Sequence, residues 1–273
     1  MAVWRYVIAT SIGTSHIKQG LPCQDYAKSL VVPDKNNTPV LVAVVSDGAG
    51  SAENSHIGSE LACTLFIEAA AAYLPENTAK SIDSVLTQAW LQKIRDAIQQ
   101  RAESDEKRSR DYACTFLAVI IGQDWAAYVQ IGDGAIVVSD GEESNWGWVF
   151  WPQRGEFANT TFFLTDDNAL ERVCFDTTDV PPLEVALFTD GIEPLVLEYA
   201  TQTAFAPFYD IMFPPVRAAE AEGLNSDLSL SLEKYLASPS ICDRTDDDKS
   251  LILATRRPPN AAPIEGLDAS TSE

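Results

Sequence analysis

Three aspartates share one local pattern, in which an apolar run ends at the aspartate and a glycine follows. Asp47 follows VAVVS, Asp133 follows YVQIG, and Asp190 follows VALFT. Asp-Gly is also a common hairpin turn, and at Asp140 the next run, WGWVFW, predicts a plain hairpin. After Asp47 and Asp190 a helical pattern follows instead. This places their carboxylates at strand ends, where functional sites are commonly built.

A fourth acidic segment, Asp246, Asp247 and Asp248, leads directly into the last apolar run. Alone, such a segment is most simply a solvated loop.

If the carboxylates converge, two charges about 4 Å apart repel by about 4 kcal/mol at an effective dielectric of about 20, so cations must compensate. Oxygen ligands select Mg²⁺, Mn²⁺ or Ca²⁺. Since His16 and His56 are the only histidines, neither a zinc site nor a Ser-His-Asp triad is indicated. The chemistry that remains compatible with these residues is hydrolysis by a metal-bound water.

Apolar patterning divides the chain into strand and helix segments. Amphipathic helices are predicted from residues 55 and 82 onward, and Pro207, Pro214 and Pro215 are expected to interrupt a later helical and irregular region. Strands are predicted within residues 4–11, 39–47, 112–122, 125–134, 135–151, 183–191 and 250–257. Strands interleaved with paired helices, without strict alternation, predict an α+β or layered architecture.

The composition excludes several classes of protein. With 40 acidic and 19 basic residues the formal net charge is −21, which disfavours nucleic acid and anionic membranes and favours cations. No apolar run approaches the roughly 18 residues that span a bilayer, and the N-terminus lacks the order of a signal peptide. The five cysteines form no C-x-x-C pair, which indicates reduced thiols. We therefore expect a cytoplasmic protein.

Five segments in order carry a resemblance to a known family: SIGTSHIKQGLPCQDYA, VAVVSDGAGSA, CTFLAVIIG with QIGDG, LFTDGIEPL, and DDKSLILA. Together they resemble the metal-dependent protein phosphatases, the type-2C serine/threonine phosphatases, and more narrowly a bacterial branch with PCQD and DGAGSA. The resemblance implies a phosphatase domain over residues 1–256 and an α+β fold of four αββα layers, a central antiparallel β-sandwich flanked by helices. The tail at 257–273, rich in Pro, Ala and Ser, is expected to be disordered.

The resemblance also implies a binuclear Mg²⁺ or Mn²⁺ centre and assigns roles to individual residues. Asp47 would bridge the two ions, Gly48 would lend a backbone carbonyl, and Asp25 would hold the second ion largely through water. Asp190 and Asp247 would be the other ligands, and Asp133 would support a third, weaker ion. The implied reaction is in-line attack of a metal-bridging water on phosphoserine or phosphothreonine, with no covalent phosphoenzyme.

The sequence departs from this family at two positions. Many members have a histidine directly after the Asp-Gly to protonate the leaving alkoxide, whereas this chain has Ala49. Many members also have an arginine shortly before the first acidic motif, and this arginine holds phosphate. In the corresponding segment this chain has His16 and Lys18. We favour His16 as the phosphate contact or the acid, and Lys18 is the alternative. The family's substrate flap corresponds to residues 145–180, whose aromatic residues are expected mostly in core strands.

Three functions remain compatible with the sequence. The first is a Mg/Mn-dependent phosphatase of phosphorylated proteins, opposing a bacterial serine/threonine kinase. The second is a catalytically silent binding module, and the third is a hydrolase of small phosphate esters. The complete set of metal carboxylates favours an enzyme over a silent module, because a module without catalysis has no need to maintain carboxylates that repel one another.

Overall fold

The structure, a computed structural model, describes residues 3–142, 144–155 and 161–258. Its strands are β1 (Arg5–Ser11), β2 (Tyr26–Pro33), β3 (Pro39–Ser46), β4 (Phe116–Ile121), β5 (Ala126–Ile131), β6 (Ala135–Ser139), β7 (Gly147–Trp148), β8 (Cys174–Thr178), β9 (Glu184–Phe188), β10 (Leu197–Glu198), β11 (Thr203–Ala204), β12 (Gly223–Leu224) and β13 (Lys249–Thr255). Its helices are α1 (Thr14–Gln19), α2 (Ser55–Tyr73), α3 (Ser84–Ser104), α4 (Ala169–Arg172), α5 (Glu193–Val196), α6 (Ala206–Ala218), α7 (Ser226–Leu236) and α8 (Pro239–Cys242). The tail expected to be disordered lies outside the described residues from position 259 onward.

Two sheets form the centre of the fold. The first sheet has the strand order β2-β3-β4-β5-β8 and is antiparallel throughout. The second sheet has the order β12-β1-β13-β9-β6-β7 and is antiparallel except for the β1/β12 pair. A short hairpin pairs β10 with β11.

The side chains of the apolar strands alternate between two cores, one between the sheets and one on the outer face of each sheet. In β3, Leu41, Ala43 and Val45 lie in an inner core that also receives side chains of the second sheet, Val185 and Leu187 among them. Val40, Val42 and Val44 lie on the other face, in a first outer core. Successive side chains of a strand point to opposite faces, so a continuous apolar run is what a strand covered on both sides requires.

Helices cover the outer faces of both sheets. In the first outer core, Phe66 of α2 and Ile94 of α3 pack against the first sheet. In a second outer core, Tyr209 of α6 and Leu232 of α7 pack against the second sheet. The layers are therefore helix, sheet, sheet, helix, which confirms the predicted αββα sandwich.

One helical segment, Ser55–Glu76, is long and apolar enough to cross a membrane by length and composition, although the sequence pattern suggested no such segment. Glu60 and Glu68 interrupt its apolar residues. The face that includes Ala62, Phe66 and Ala70 is fully buried against the first sheet. The apolar character of the segment is thus accounted for by its position in the first outer core.

Several local features differ from the sequence predictions, and the strands β8, β10, β11 and β12 are among the elements that were not predicted. The strand β2 was not predicted, because its residues YAKSLVVP include polar positions and are only half-buried at the edge of the sheet. The expected interruption at Pro214 and Pro215 is wrong, because α6 continues through both prolines to Ala218. Phe213 and Val216 of the same helix are buried in the second outer core, and this packing stabilises the helix despite the lost backbone donors.

The prediction that the aromatic residues of the proposed flap lie mostly in core strands is wrong. Among the described residues of the flap, Trp148 in the exposed strand β7 and Phe175 in β8 are in strands, whereas the other aromatic residues lie in loops that pack against the body of the protein. The indole ring of Trp146 stacks on Tyr209 at 4.9 Å between centroids, and its Nε1 donates to Asp210 at 2.9 Å. Trp151 contacts the ring edge of Tyr199 at 5.2 Å. The predicted hairpin at Asp140 is confirmed, since β7 pairs antiparallel with β6 on either side of it.

Candidate metal centre

The strand register brings acidic residues from both sheets to one edge of the sandwich. Asp47 follows β3, and Asp190 follows β9. Asp133 lies in the turn between β5 and β6, and β6 begins opposite the end of β9, with Ala135 paired to Phe188. One carboxylate oxygen from each of Asp47, Asp133 and Asp190 lies within 4.8 Å of the others. Three residues far apart in sequence thus form one cluster.

Asp25 joins this cluster from the start of β2. Since Tyr26 is paired with Ser46, Asp25 lies beside the end of β3. Its Oδ2 accepts a hydrogen bond of 2.6 Å from the hydroxyl of Thr189, the residue before Asp190. The Asp25 side chain therefore connects the first sheet to the second.

Asp247 and Asp248 occupy different environments although they are adjacent. Asp248 is 1% exposed, and its carboxylate accepts from the backbone amides of Gly13 and Gln24 and pairs with His16 Nδ1 at 2.8 Å. Asp247 accepts only from the amide of Asp248 among the described side-chain contacts. The negative charge of Asp247 raises the pKa of Asp47 and of Asp190. Asp247 is thus the member of the acidic segment available to the cluster.

Burial and mutual repulsion disfavour the ionised form of these carboxyls. Burial is the largest cause that raises the pKa of Asp47 well above its ordinary range, and the charge of Asp190 is the next. Burial likewise raises the pKa of Asp190 and Asp133, and it raises that of Asp25 to about 7. Such a cluster can be fully ionised only beside compensating positive charge.

The donor set fits hard divalent cations. Within the described part of the chain, Asp25 Oδ1 and Asp133 Oδ1 are buried and have no hydrogen-bond partner. Buried polar atoms are rarely left unpaired without a role. Carboxylate oxygens are the ligands that Mg²⁺ and Mn²⁺ prefer, so the residues present are suited to these metals.

Backbone contacts position Asp47 at the end of β3. Its amide donates to Thr115 Oγ1 at 2.9 Å, and its carbonyl accepts from the Thr115 amide at 2.8 Å. At Gly48 a side chain has no room, because a Cβ would lie 2.7 Å from the carbonyl oxygen of Gln24. Ala49 is buried against Ala52 and supplies no proton donor.

The structure separates the two basic candidates, His16 and Lys18. Both lie on the short helix α1. His16 is buried and paired with Asp248, and its charge lowers the pKa of Asp247. Lys18 is exposed. His16 is therefore the one that lies beside the carboxylate cluster.

Several residues of the site were not found from the sequence. Thr115 and Thr189 contact the aspartates through hydroxyl groups, and Gln130 donates to the carbonyl of Gly134 beside Asp133 at 3.2 Å. Arg154 and Glu193 form an ion pair of 3.4 Å at the margin of the cluster. Isolated Thr, Gln, Arg and Glu residues have no local pattern that distinguishes them, although Glu193 lies only three residues after Asp190.

Comparison with known proteins agrees with this geometry. Residues 12–237 match the family described as Protein phosphatase 2C. The chain is 37% identical over 254 residues to Serine/threonine-protein phosphatase 3 of Escherichia coli (strain K12), and the match covers 92% of this chain and 98% of that protein. The chain therefore belongs to the protein phosphatase 2C family, and it is a metal-dependent protein phosphatase.

Solved structures share the fold at low sequence identity. The serine/threonine phosphatase Stp1 from Staphylococcus aureus has a TM-score of 0.60 at 13% identity, covering 92% of this chain and 94% of that chain. The catalytic domain of the serine threonine protein phosphatase PstP, solved in complex with two manganese ions, has a TM-score of 0.57 at 14% identity, covering 93% and 98%. These similarities confirm the predicted α+β sandwich.

Proposed function

We propose that the chain hydrolyses phosphoserine and phosphothreonine in proteins at the edge of the β-sandwich where the aspartates meet. The observation that carries this proposal is the approach of the Asp47, Asp133 and Asp190 carboxylate oxygens to within 4.8 Å of one another. The name of the Escherichia coli relative supports the choice of substrate. The two manganese ions bound by the PstP catalytic domain support a binuclear centre.

The proposed ligands of two Mg²⁺ or Mn²⁺ ions are Asp25, Asp47, Asp190, Asp247 and the carbonyl of Gly48, with Asp133 for a third, weaker ion. When bound, the ions lower the pKa of a water molecule and neutralise phosphate charge. Thr115 holds Asp47 in place, and Thr189 orients Asp25. His16 is the proposed contact to the phosphate or the leaving oxygen. Asp248 fixes the orientation of its imidazole through Nδ1.

The proposed setting is a cytoplasmic signalling pathway in which a serine/threonine kinase phosphorylates the substrate protein. All five cysteines are free, which agrees with a reducing compartment. The net charge of −21 disfavours nucleic acid and anionic membranes as partners. Residues 1–256 are proposed to form one phosphatase domain.

Substitution of the clustered aspartates tests the proposed centre. Asp47→Ala and Asp190→Ala are expected to lower Mn²⁺-dependent hydrolysis of a phosphothreonine peptide by about 1000-fold or more, since each removes charge that holds the metals. Mn²⁺ binding measured by calorimetry is expected to weaken in parallel. Asp140→Ala is the matched control, because this aspartate also precedes a glycine but lies exposed in a hairpin.

Two outcomes would favour the other functions. A wild-type protein that binds Mn²⁺ but hydrolyses neither the peptide nor p-nitrophenyl phosphate would be a silent binding module. Faster hydrolysis of free small esters than of phosphopeptides would indicate a small-ester hydrolase.

A further inference from the structure

Arg154 lies on the segment that follows β7, and two side chains contact its guanidinium. The Cζ atom is 4.5 Å from the centroid of the Tyr199 ring, and Nη2 is 3.4 Å from Glu193 Oε2. Trp151 in turn contacts Tyr199 edge-on at 5.2 Å. An aromatic ring below and a carboxylate beside a guanidinium restrict its orientation. The side chain is nevertheless 48% exposed, so the cation is accessible to an external anion.

This guanidinium lies at the Asp133 and Asp190 side of the metal centre. Glu193 begins α5 directly after the 3₁₀ turn Asp190–Ile192. Gln153, the residue before Arg154, is bound to the turn that carries Asp133, because its amide donates to the carbonyl of Gly132 at 3.1 Å and its Oε1 accepts from the amide of Gly132 at 2.8 Å. The Arg154–Glu193 pair is therefore within electrostatic range of the carboxylate cluster.

The charge of the substrate favours a further cation beside the metal centre. A phosphomonoester carries a charge of about −1.5 to −2 at neutral pH. The four carboxylates proposed for the two main ions balance the charge of those ions to about zero, so a nearby cation adds attraction for the doubly charged phosphate. Arg154 complements His16, whose Nδ1 is paired with Asp248 as the guanidinium is paired with Glu193. Arginine suits phosphate because its planar fork donates two parallel hydrogen bonds.

We propose that Arg154 contacts the phosphoryl group of the substrate and that Glu193 and Tyr199 position its guanidinium beside the metal centre. This inference rests on the proposed function, since the ligand is the phosphate that the centre hydrolyses.

The test compares Arg154→Ala with Arg172→Ala in the Mn²⁺-loaded protein. Arg172 is a matched control because its guanidinium is also exposed, belongs to the same proposed flap, and stacks on an aromatic ring, 4.0 Å from the Phe162 centroid. For Arg154→Ala we expect KM for p-nitrophenyl phosphate and the inhibition constant of inorganic phosphate to rise by about 10-fold to 100-fold. Arg172→Ala is expected to match the wild type in both constants.

A direct binding measurement separates this inference from the proposed function. Inorganic phosphate is titrated into the Mn²⁺-loaded wild type and variants by calorimetry, and Arg154→Ala is expected to bind it about 10-fold or more weakly. Suppose that the wild type hydrolyses both p-nitrophenyl phosphate and the phosphothreonine peptide. If Arg154→Ala then has the wild-type KM for p-nitrophenyl phosphate and the wild-type affinity for inorganic phosphate, the inference is wrong and the proposed function stands. A loss confined to a phosphopeptide, absent with p-nitrophenyl phosphate and inorganic phosphate, would place Arg154 against the peptide and also overturn the inference. An inactive wild type would instead refute the proposed function.

Discussion

Chemically identical neighbours can have different roles because burial and hydrogen bonding differ between them. Asp248 accepts two backbone amides and pairs with His16, which leaves its carboxylate little capacity for another ligand. Asp247 has one backbone donor and faces the charges of the cluster. A carboxylate already saturated with donors stabilises the fold, whereas one with free lone pairs is suited to a metal.

His16→Gln is expected to lower kcat for a phosphoserine peptide by about 100-fold, because a general acid contributes on that order. The loss is expected to be much smaller for p-nitrophenyl phosphate, whose weakly basic leaving group needs no proton. Steady-state kinetics on both substrates measures the difference.

Lys18→Gln is the control for this prediction, since Lys18 is exposed on the same helix. Equal losses on both substrates after His16→Gln, together with a lowered melting temperature, would indicate that His16 only supports Asp248.

Among the secondary structure elements, α2 links the first outer core to the site. Phe66 is fully buried, and its ring contacts Trp90 of α3 at 5.6 Å and Phe116 of β4 at 5.1 Å. At the start of the same helix, the hydroxyl of Ser59 donates to the carbonyl of Gln24 at 2.6 Å. Since Gly48 also donates to that carbonyl, packing of α2 helps to fix the backbone beside Asp47.

Phe66→Ala is expected to lower the free energy of unfolding by about 3–5 kcal/mol, because it leaves a cavity in a packed core. Urea unfolding of the metal-free protein measures the change. Val85→Ala is the control, since Val85 of α3 is 74% exposed and its truncation is expected to change stability by at most about 0.5 kcal/mol. A loss below about 1 kcal/mol for Phe66→Ala would contradict the packing described.

The whole molecule combines a large negative charge with a buried acidic cluster. The net charge of −21 favours the accumulation of cations around the protein. Folding then places several carboxyl groups together where burial raises their pKa. In the metal-free protein, ionisation of this cluster opposes folding, and divalent ions that bind only the folded state offset that effect.

The pKa of Asp25, raised to about 7 from 3.8, predicts how its contribution changes with pH. Because the folded state holds the proton more tightly, the stability that Asp25 confers is present below about pH 4 and declines as pH rises towards 7. In EDTA, the unfolding free energy of wild type minus that of Asp25→Asn is therefore expected to fall between about pH 5 and pH 7.5.

Chemical unfolding at several pH values measures this difference. Excess Mn²⁺ is expected to reverse the trend at about pH 7.5 by binding the ionised carboxylates, and Asp140→Asn is expected to show no trend. A difference that stays constant or rises with pH in EDTA would contradict the raised pKa of Asp25.

The sequence by itself predicted the central strands of both sheets, the long helices α2 and α3, and the acidic residues proposed for the site. Strand alternation and apolar continuity are local properties of residues such as those from Val40 to Val45, so they can be detected without knowledge of the fold. The ordered motifs added the family and the four-layer sandwich. The half-exposed edge strand β2 and the course of α6 through Pro214 could not be predicted, because tertiary packing rather than local preference decides them.

Only the tertiary structure decided which side chains meet. The antiparallel register aligns the ends of β3 and β9 with the start of β6, and this brings Asp47, Asp133 and Asp190 together. The hydrogen bond from Thr189 to Asp25 and the Arg154–Glu193 pair join residues 164 and 39 positions apart. Such contacts depend on long-range pairing of strands and loops, and a single sequence contains no local pattern that encodes them.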